Sequence, residues 1–226
     1  MADIIYGEVS RGISATRSSK NSTTRINFGD VIDITLSLAI LAFIAPLLLV
    51  VALAIYCQDG GPVVFAHRRI GRHGQHFYCL KFRSMAADAE QRLAEVLAND
   101  PAARDEWARD HKLKNDPRIT KLGHFLRQSS LDELPQLFNV LRGEMSLVGP
   151  RPIVDAEAPK YGRRFQRYCA VKPGITGLWQ VSGRNDVSYR SRVAMDCAYA
   201  KAKSIRLDLW ILFATIPAVL LRRGSY

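Results

Sequence analysis

From Ile34 to Cys57 the chain runs for 24 residues without a charge, ITLSLAILAFIAPLLLVVALAIYC. As a straight helix this stretch is roughly 36 Å long, enough to cross a hydrocarbon core of about 30 Å, which predicts insertion into a membrane. Pro46 sits near its middle, where it removes a backbone donor and crowds the carbonyl of Ala42. Each half alone is about 17 Å long and reaches about halfway. Arg17, Lys20 and Arg25 precede the segment, and Arg68, Arg69 and Arg72 follow it. Positive flanks collect on the cytosolic side, so a bent, re-entrant helix that returns to its own face is expected. An ordinary spanning helix is the alternative, because such helices also carry prolines. A second apolar run, Leu209–Leu221, has 13 uncharged residues and is too short to span. Trp210 at one end and Arg222 and Arg223 at the other suit a helix lying in the interface, and a core helix fits equally.

The polar middle alternates differently. Pro62–Ile70 and Gln75–Met85 are rich in strand-forming residues and are separated by Gly71-Arg-His-Gly74, the pattern of a β-hairpin. His67, His73 and His76 cluster there without acidic or Cys partners at ligand spacing, so a solvated loop is expected rather than a metal site. Ala86–Ala98 reads as a helix with Leu93 and Leu97 on one face. Asp100-Pro101 then supplies an N-cap and a first-turn proline for a helix carrying Trp107.

Composition bounds the partners. The chain has 226 residues, 48% of them apolar, and a formal net charge of +11, which suits a folded domain attracted to polyanions: nucleic acid, an anionic membrane face or phosphorylated substrates. Nucleic acid is not expected, because the aromatic residues fall mostly inside apolar runs rather than across a basic surface. Cys57, Cys79, Cys169 and Cys197 form no C-x-x-C pair and read as free thiols of a reducing compartment. The organisation expected is a flexible cytosolic tail over 1–29, a re-entrant membrane helix over 30–58, and a catalytic domain with an interfacial C-terminal helix over 59–226.

Three segments carry candidate chemistry. In Leu126–Leu137, Ser130-x-x-Glu133 has the spacing of a capping box, with Asp132 favouring the positive end of the helix dipole. The same spacing suits a carboxylate nucleophile beside a carboxylate metal ligand, since a helix N-terminus also attracts phosphate. Val148-Gly-Pro-Arg-Pro152 holds Arg151 between two prolines, and Lys172–Gly177 opens a glycine-rich stretch ending at Gly183-Arg-Asn-Asp186. Rigid loops presenting Arg and backbone N–H groups suit phosphate oxygens; tight turns explain the prolines and glycines equally well.

Taken together, KFRSM (Lys81–Met85), SLDELPQL (Ser130–Leu137), GEMSLVGPRP (Gly143–Pro152) and KPGITGLWQVSGRND (Lys172–Asp186) strongly resemble the bacterial sugar transferases known as monotopic phosphoglycosyl transferases. The likeness is nearest to the undecaprenyl-phosphate galactose phosphotransferases of exopolysaccharide synthesis, whose ending the terminal RRGSY also resembles. Larger members carry spanning helices before this domain, where this chain has only its tail.

The resemblance implies an α+β, mostly helical fold: a re-entrant membrane helix plus a small cytosolic catalytic domain with a β-hairpin and interfacial amphipathic helices. It implies Asp132 as nucleophile and Glu133 as Mg²⁺ ligand, with Lys81 and Arg127 also catalytic. Arg151 and Pro152, Pro173 and Gly174, and more loosely Asp196, are implied at the substrate. The family's membrane helix breaks at a Ser-Pro pair; here the pair is Ala45-Pro46, and proline alone still bends the chain. The implied partners are a UDP-hexose, undecaprenyl phosphate and the bacterial inner membrane, with the catalytic domain facing the cytoplasm and a homodimer left open. In the implied reaction Asp132 displaces UMP from the sugar-bearing phosphate, and the lipid phosphate then takes the sugar phosphate from the aspartate. An ordinary carboxylate, with a pKa near 4, needs no general base for that attack. The rivals are a membrane-tethered nucleic-acid binder and a non-catalytic membrane scaffold.

Overall fold

The computed structural model describes residues 27–110, 113–183 and 187–220. Most of these are helical, with two small sheets, in agreement with the mostly helical expectation. Residues 1–26 of the tail, Arg184–Asp186 of the glycine-rich stretch, and Arg222 and Arg223 lie outside the described residues.

The long apolar run folds as one helix, α1 (Phe28–Asp59), with Pro46 inside it. The Asn27 N–H donates to the Asp30 carboxylate at 3.2 Å, closing the first turn. Gly60, at φ 65°, ends the helix in the left-handed conformation that glycine adopts without a Cβ clash. One stripe of α1 faces inward: Leu36, Ile40, Leu41 and Ile44 pack on the main core, while Val51 and Ile55 are buried against Phe82 and Leu126. Phe43, Leu49, Val50 and Leu53 form an outward stripe, and Phe43 is 87% exposed. A helix of this length with an uncovered apolar stripe fits membrane association.

The expected hairpin forms between β1 (Val64–Ile70) and β2 (His76–Phe82), which pair antiparallel from Val64 opposite Phe82 to Ile70 opposite His76. Side chains alternate along a strand, and residues directly opposite share a face. Phe77, Cys79 and Lys81 therefore point the same way as Arg69, His67 and Phe65. His76, expected in a solvated loop, instead meets Asp155 at 2.7 Å.

Helices α2 (Ala89–Asn99) and α3 (Pro101–Asp110) follow, with Asp100 Oδ1 accepting the N–H groups of Ala102 and Ala103 at 2.9 and 3.1 Å. This is the cap expected from Asp100-Pro101. The Arg118 guanidinium covers the Trp107 ring at 4.8 Å.

Then come α4 (Lys121–Ser129) and α5 (Gln136–Leu141), the strand β3 (Ser146–Val148), the short helices α6 (Ala158–Tyr161) and α7 (Phe165–Tyr168), and the strand β4 (Gly174–Thr176). β3 and β4 pair parallel, Ser146 opposite Gly174 and Val148 opposite Thr176. The chain closes with α8 (Leu178–Ser182), α9 (Tyr189–Ala202) and α10 (Ile205–Leu220). On α10, Ile211 is wholly buried while Trp210, Phe213 and Ile216 are exposed, so one face packs into the core and the other is left uncovered. The core joins Phe77 and Cys79 of the hairpin to Leu137, Val140, Met145, Leu147, Tyr199 and Ile211.

One side chain locks the hairpin to α5. Asn139, fully buried, accepts the Leu80 N–H at 3.0 Å and donates Nδ2–H to the Tyr78 carbonyl at 2.8 Å and to Glu144 Oε2 at 2.6 Å. It thereby satisfies the edge of β2 that β1 leaves free. Asn139→Leu keeps the volume and strands these strand groups, so it should destabilise the fold by about 2–4 kcal/mol. The thermal unfolding midpoint of the purified protein measures this, and an unchanged midpoint would refute the role.

Candidate active site

Lys81 reaches the site because strand alternation turns it to the same side as Cys79. The two carboxylates arrive by a different device. Ser130, at φ 58°, takes the left-handed conformation and ends α4. The chain then makes a single 3₁₀ turn, Leu131–Glu133, before Pro135 leads into α5. The Ser130 side chain makes no cap bond, and Glu133 turns across the cleft instead of back along the helix. The capping-box reading of Ser130 and Glu133 therefore fails, because the backbone at Ser130 is not that of an N-cap.

Lys81 Nζ lies 2.6 Å from Glu133 Oε1 and 3.8 Å from Asp132 Oδ2. Arg127, on the last turn of α4, donates Nε–H to Ser84 Oγ at 2.8 Å, and its charge acts on Asp132. Arg151 is exposed between Pro150 and Pro152 and makes no hydrogen bond or ion pair among the described residues. One cleft is lined by Lys81, Glu133, Arg151, Pro152 and Gly174; Asp132 and Arg127 are not part of its lining, and Asp132 lies 3.8 Å from Lys81. Pro173 is wholly buried and does not line it; its part is to hold Gly174. Asp196 is also buried outside the cleft, accepting from the Tyr161 hydroxyl at 2.7 Å.

The electrostatics separate the two neighbouring acids. Burial pushes the Asp132 carboxyl up to about 6, with Glu133 adding repulsion and Lys81 and Arg127 opposing the rise. This corrects the expectation of an ordinary carboxylate. Burial acts on Glu133 in the same sense, but Lys81, Arg151 and Arg69 outweigh it and hold Glu133 below the usual range. Burial likewise raises Asp196 to about 7, against the Tyr161 hydrogen bond and the Arg151 charge, and lifts the Cys79 thiol to about 11.

Reasoning from sequence missed five residues that line the cleft: Arg69, Cys79, Gln136, Ile175 and Gln180. Hairpin register could have found Arg69, which sits across from Phe77. Gln136 opens α5 just after Pro135, and both it and Gln180 lay inside quoted motifs without a role. Gln180 donates Nε2–H to the Ile175 carbonyl at 3.2 Å, leaving its buried Oε1 without a donor.

The loops bearing Arg151 and Gly174 touch backbone to backbone. Gly149 N–H donates to the Thr176 carbonyl, and Gly174 N–H to the Pro150 carbonyl, both at 2.9 Å. A Cβ on Gly149 would lie 2.5 Å from the Lys172 carbonyl, and one on Gly174 would lie 2.0 Å from Gly149 N. Both positions require glycine for closeness, not for backbone conformation.

No group of three His, Cys, Asp or Glu side chains able to cage a metal is present among the described residues. Glu133 keeps Oε2 free of donors there, and Asp132 stands next to it. That donor set fits a small hard cation held by one or two carboxylates and completed by water or phosphate oxygens.

Over residues 25–222 the chain matches the family model described as bacterial sugar transferase. The chain belongs to that family. The motif resemblance is thereby borne out, and this bacterial sugar transferase has relatives with informative names. It is 54% identical over 194 residues to the undecaprenyl-phosphate galactose phosphotransferase of Salmonella typhimurium and, over the same length, to the UDP-galactose-lipid carrier transferase of Erwinia amylovora. Each alignment covers 86% of this chain and 40% of the relative, so the chain spans about two fifths of those proteins. It is 50% identical to the exopolysaccharide production protein ExoY of Sinorhizobium fredii, over 86% of both chains.

A raised pKa means that the folded state favours protonated Asp132. That preference is fully present below about 3.8 and is lost as pH rises through about 6. Ionised Asp132 therefore costs the fold on the order of 2–3 kcal/mol at neutral pH. Asp132→Asn removes this cost, so the variant should melt higher than wild type at pH 7.5 and equal it near pH 4. Thermal melts across that range provide the check; a difference independent of pH counts against the assignment.

Proposed function

We propose that this transferase moves hexose-1-phosphate, with galactose as the first candidate sugar, from a UDP-hexose to undecaprenyl phosphate at the cytoplasmic face of a bacterial inner membrane, releasing UMP. The observation carrying this reading is the Asp132–Glu133 pair held by Lys81 at the edge of a cleft with Arg69 and Arg151. The names of its relatives support the lipid carrier and a part in exopolysaccharide production, in which we take this transfer to be the first membrane step.

In the proposed reaction an Asp132 oxygen attacks the sugar-bearing phosphorus of the UDP-hexose. The bond to the bridging oxygen breaks, and UMP leaves with the electron pair. A phosphate oxygen of the lipid then attacks the same phosphorus and returns Asp132 as a carboxylate, so no net proton moves. With a pKa of about 6, Asp132 is mostly ionised at neutral pH and becomes an acyl phosphate without a general base. Bringing this anion to a diphosphate in a dry cleft is opposed by repulsion worth several kcal/mol. Lys81, Arg127, Arg69 and Arg151 offset that repulsion, and Arg151, set between prolines without an ion pair among the described residues, would take phosphate oxygens. Glu133, with Asp132 beside it, would hold Mg²⁺, which when bound would neutralise further phosphate charge.

The re-entrant form of α1 belongs to the same proposal. Its N-terminal end is tied to the catalytic domain by Asp30, 2.8 Å from Lys172. Its C-terminal end is tied to the same domain through Asp59, which pairs with Arg83 and accepts the Ala87 N–H. A spanning helix parts its ends by a hydrocarbon core of about 30 Å, which these two attachments oppose.

Wild-type protein given UDP-galactose radiolabelled in the sugar, without lipid acceptor, should release UMP and retain label on protein at up to one per chain. Asp132→Asn should do neither, lowering turnover with undecaprenyl phosphate by at least about a thousandfold, and EDTA should suppress UMP release until Mg²⁺ is restored. Turnover without any trapped label would reject the covalent step, and a panel of UDP-hexoses would identify the sugar. For topology, Gly29→Cys and Gln58→Cys, each in a Cys57→Ser background, should both react with an impermeant maleimide from the cytoplasmic side. Reaction from opposite sides would establish a spanning helix.

A further inference from the structure

The parallel strands β3 and β4 hold the Arg151 and Gly174 loops, yet their own outer attachments come from the two apolar helices. On the α1 side, Asp33 accepts the Ser146 hydroxyl at 2.6 Å and the Leu147 N–H at 3.2 Å, which fixes the start of β3. One turn earlier, Asp30 pairs with Lys172 at 2.8 Å, which fixes the residue before Pro173-Gly174. On the α10 side, the Thr215 hydroxyl lies 2.8 Å from that of Thr176 in β4. Asp208 lies 2.6 Å from the Tyr199 hydroxyl, which is 2.9 Å from the Val148 carbonyl. Each strand is thus gripped by both helices.

There is little slack between these grips and the cleft. Ser146 precedes Arg151 by five residues, and Lys172 precedes Gly174 by two. The intervening chain contains Pro150 and Pro173, both wholly buried, whose φ angles are fixed. The loops are also bonded to each other, Gly174 N–H to the Pro150 carbonyl at 2.9 Å. A shift of α1 relative to the domain therefore moves Arg151 and Gly174 rather than being absorbed on the way.

We propose that Asp30 and Asp33 of the membrane helix are positioning residues for the nucleotide sugar: through Lys172, Ser146 and Leu147 they set the geometry of the Arg151 and Gly174 loops, so donor binding depends on how α1 is seated. This rests on the reading of those loops as the donor-phosphate site. The rest of the site is held separately, since Lys81 comes from the hairpin and Arg127 leans on Ser84 rather than on β3 or β4.

The test is steady-state kinetics of full-length protein in nanodiscs, with KM measured separately for UDP-galactose and undecaprenyl phosphate. Asp30→Asn and Lys172→Met should each raise the donor KM about five- to tenfold and leave the acceptor KM within about twofold. Their double variant should be no worse than either single, as coupling through one contact requires. Asp33→Ala should raise the donor KM likewise, and Asp33→Asn, which keeps an acceptor oxygen for the Leu147 N–H, should recover most of the loss. Additive effects in the double variant, or equal rises in both KM values, would overturn the proposal; so would donor KM values unchanged in folded single variants. Should Asp33→Ala fail to fold, the Asp30 and Lys172 cycle with Ser146→Ala decides on the same criteria. Arg151→Ala separates the two levels. If it leaves the donor KM unchanged, the phosphate-site reading fails; if it raises the donor KM while the Asp30, Asp33 and Lys172 variants do not, only the positioning role fails.

Discussion

The Asn139 carboxamide closes the outer edge of β2 by taking the Leu80 N–H and giving to the Tyr78 carbonyl. A third strand would have done the same for the backbone, but it would have left α5 free to pack at another angle. Because the closure is made by a helix side chain, the hairpin and α5 share one register. Lys81 lies one residue beyond Leu80, and Glu133 lies on the turn that leads into α5. The 2.6 Å contact between them is thus set by a neutral, buried hydrogen-bonding group, with the ion pair adding charge to a geometry already determined. Buried polar groups that are fully satisfied specify structure in this way.

The dyad turn shows how two adjacent acids acquire different characters. Lys81 favours Glu133 by more than 1 Å, and the Arg151 and Arg69 charges act on Glu133 as well, so it stays ionised despite burial. Asp132 receives less of that compensation and keeps more of the burial penalty. A carboxylate that is poorly stabilised when charged has more to gain from bonding to phosphorus than one already well paired. The proposed assignment of Asp132 as nucleophile and Glu133 as charge holder is consistent with this asymmetry.

Local chemistry was legible in the sequence wherever it was self-contained. The hairpin, the Asp100 cap and the apolar helix all depend on residues within a few positions of one another, and each emerged near its expected bounds. The short parallel pair β3–β4 was not legible, since three residues per strand carry no readable alternation. Ser130 misled because a capping-box spacing says nothing about the sign of φ. Asp59 with Arg83 and His76 with Asp155 join residues 24 and 79 positions apart, and only the folded chain brings them together. Within the site, the motifs supplied Lys81, Glu133 and Arg151 but not Arg69 of the hairpin, while neutral Gln136 and Gln180 carried no signal without a cleft to place them in.

The contact between Gly149 and Gly174 leaves the end of the cleft beside Arg151 with no volume to spare, since either glycine would drive a new side chain into backbone. On the proposed reading, a change of sugar would fall to other wall positions such as Gln136, Ile175 and Gln180, of which Gln136 is buried and Gln180 is bonded to the Ile175 carbonyl of β4. A scaffold arranged like this fixes one end of its cleft and confines variation to the remaining wall.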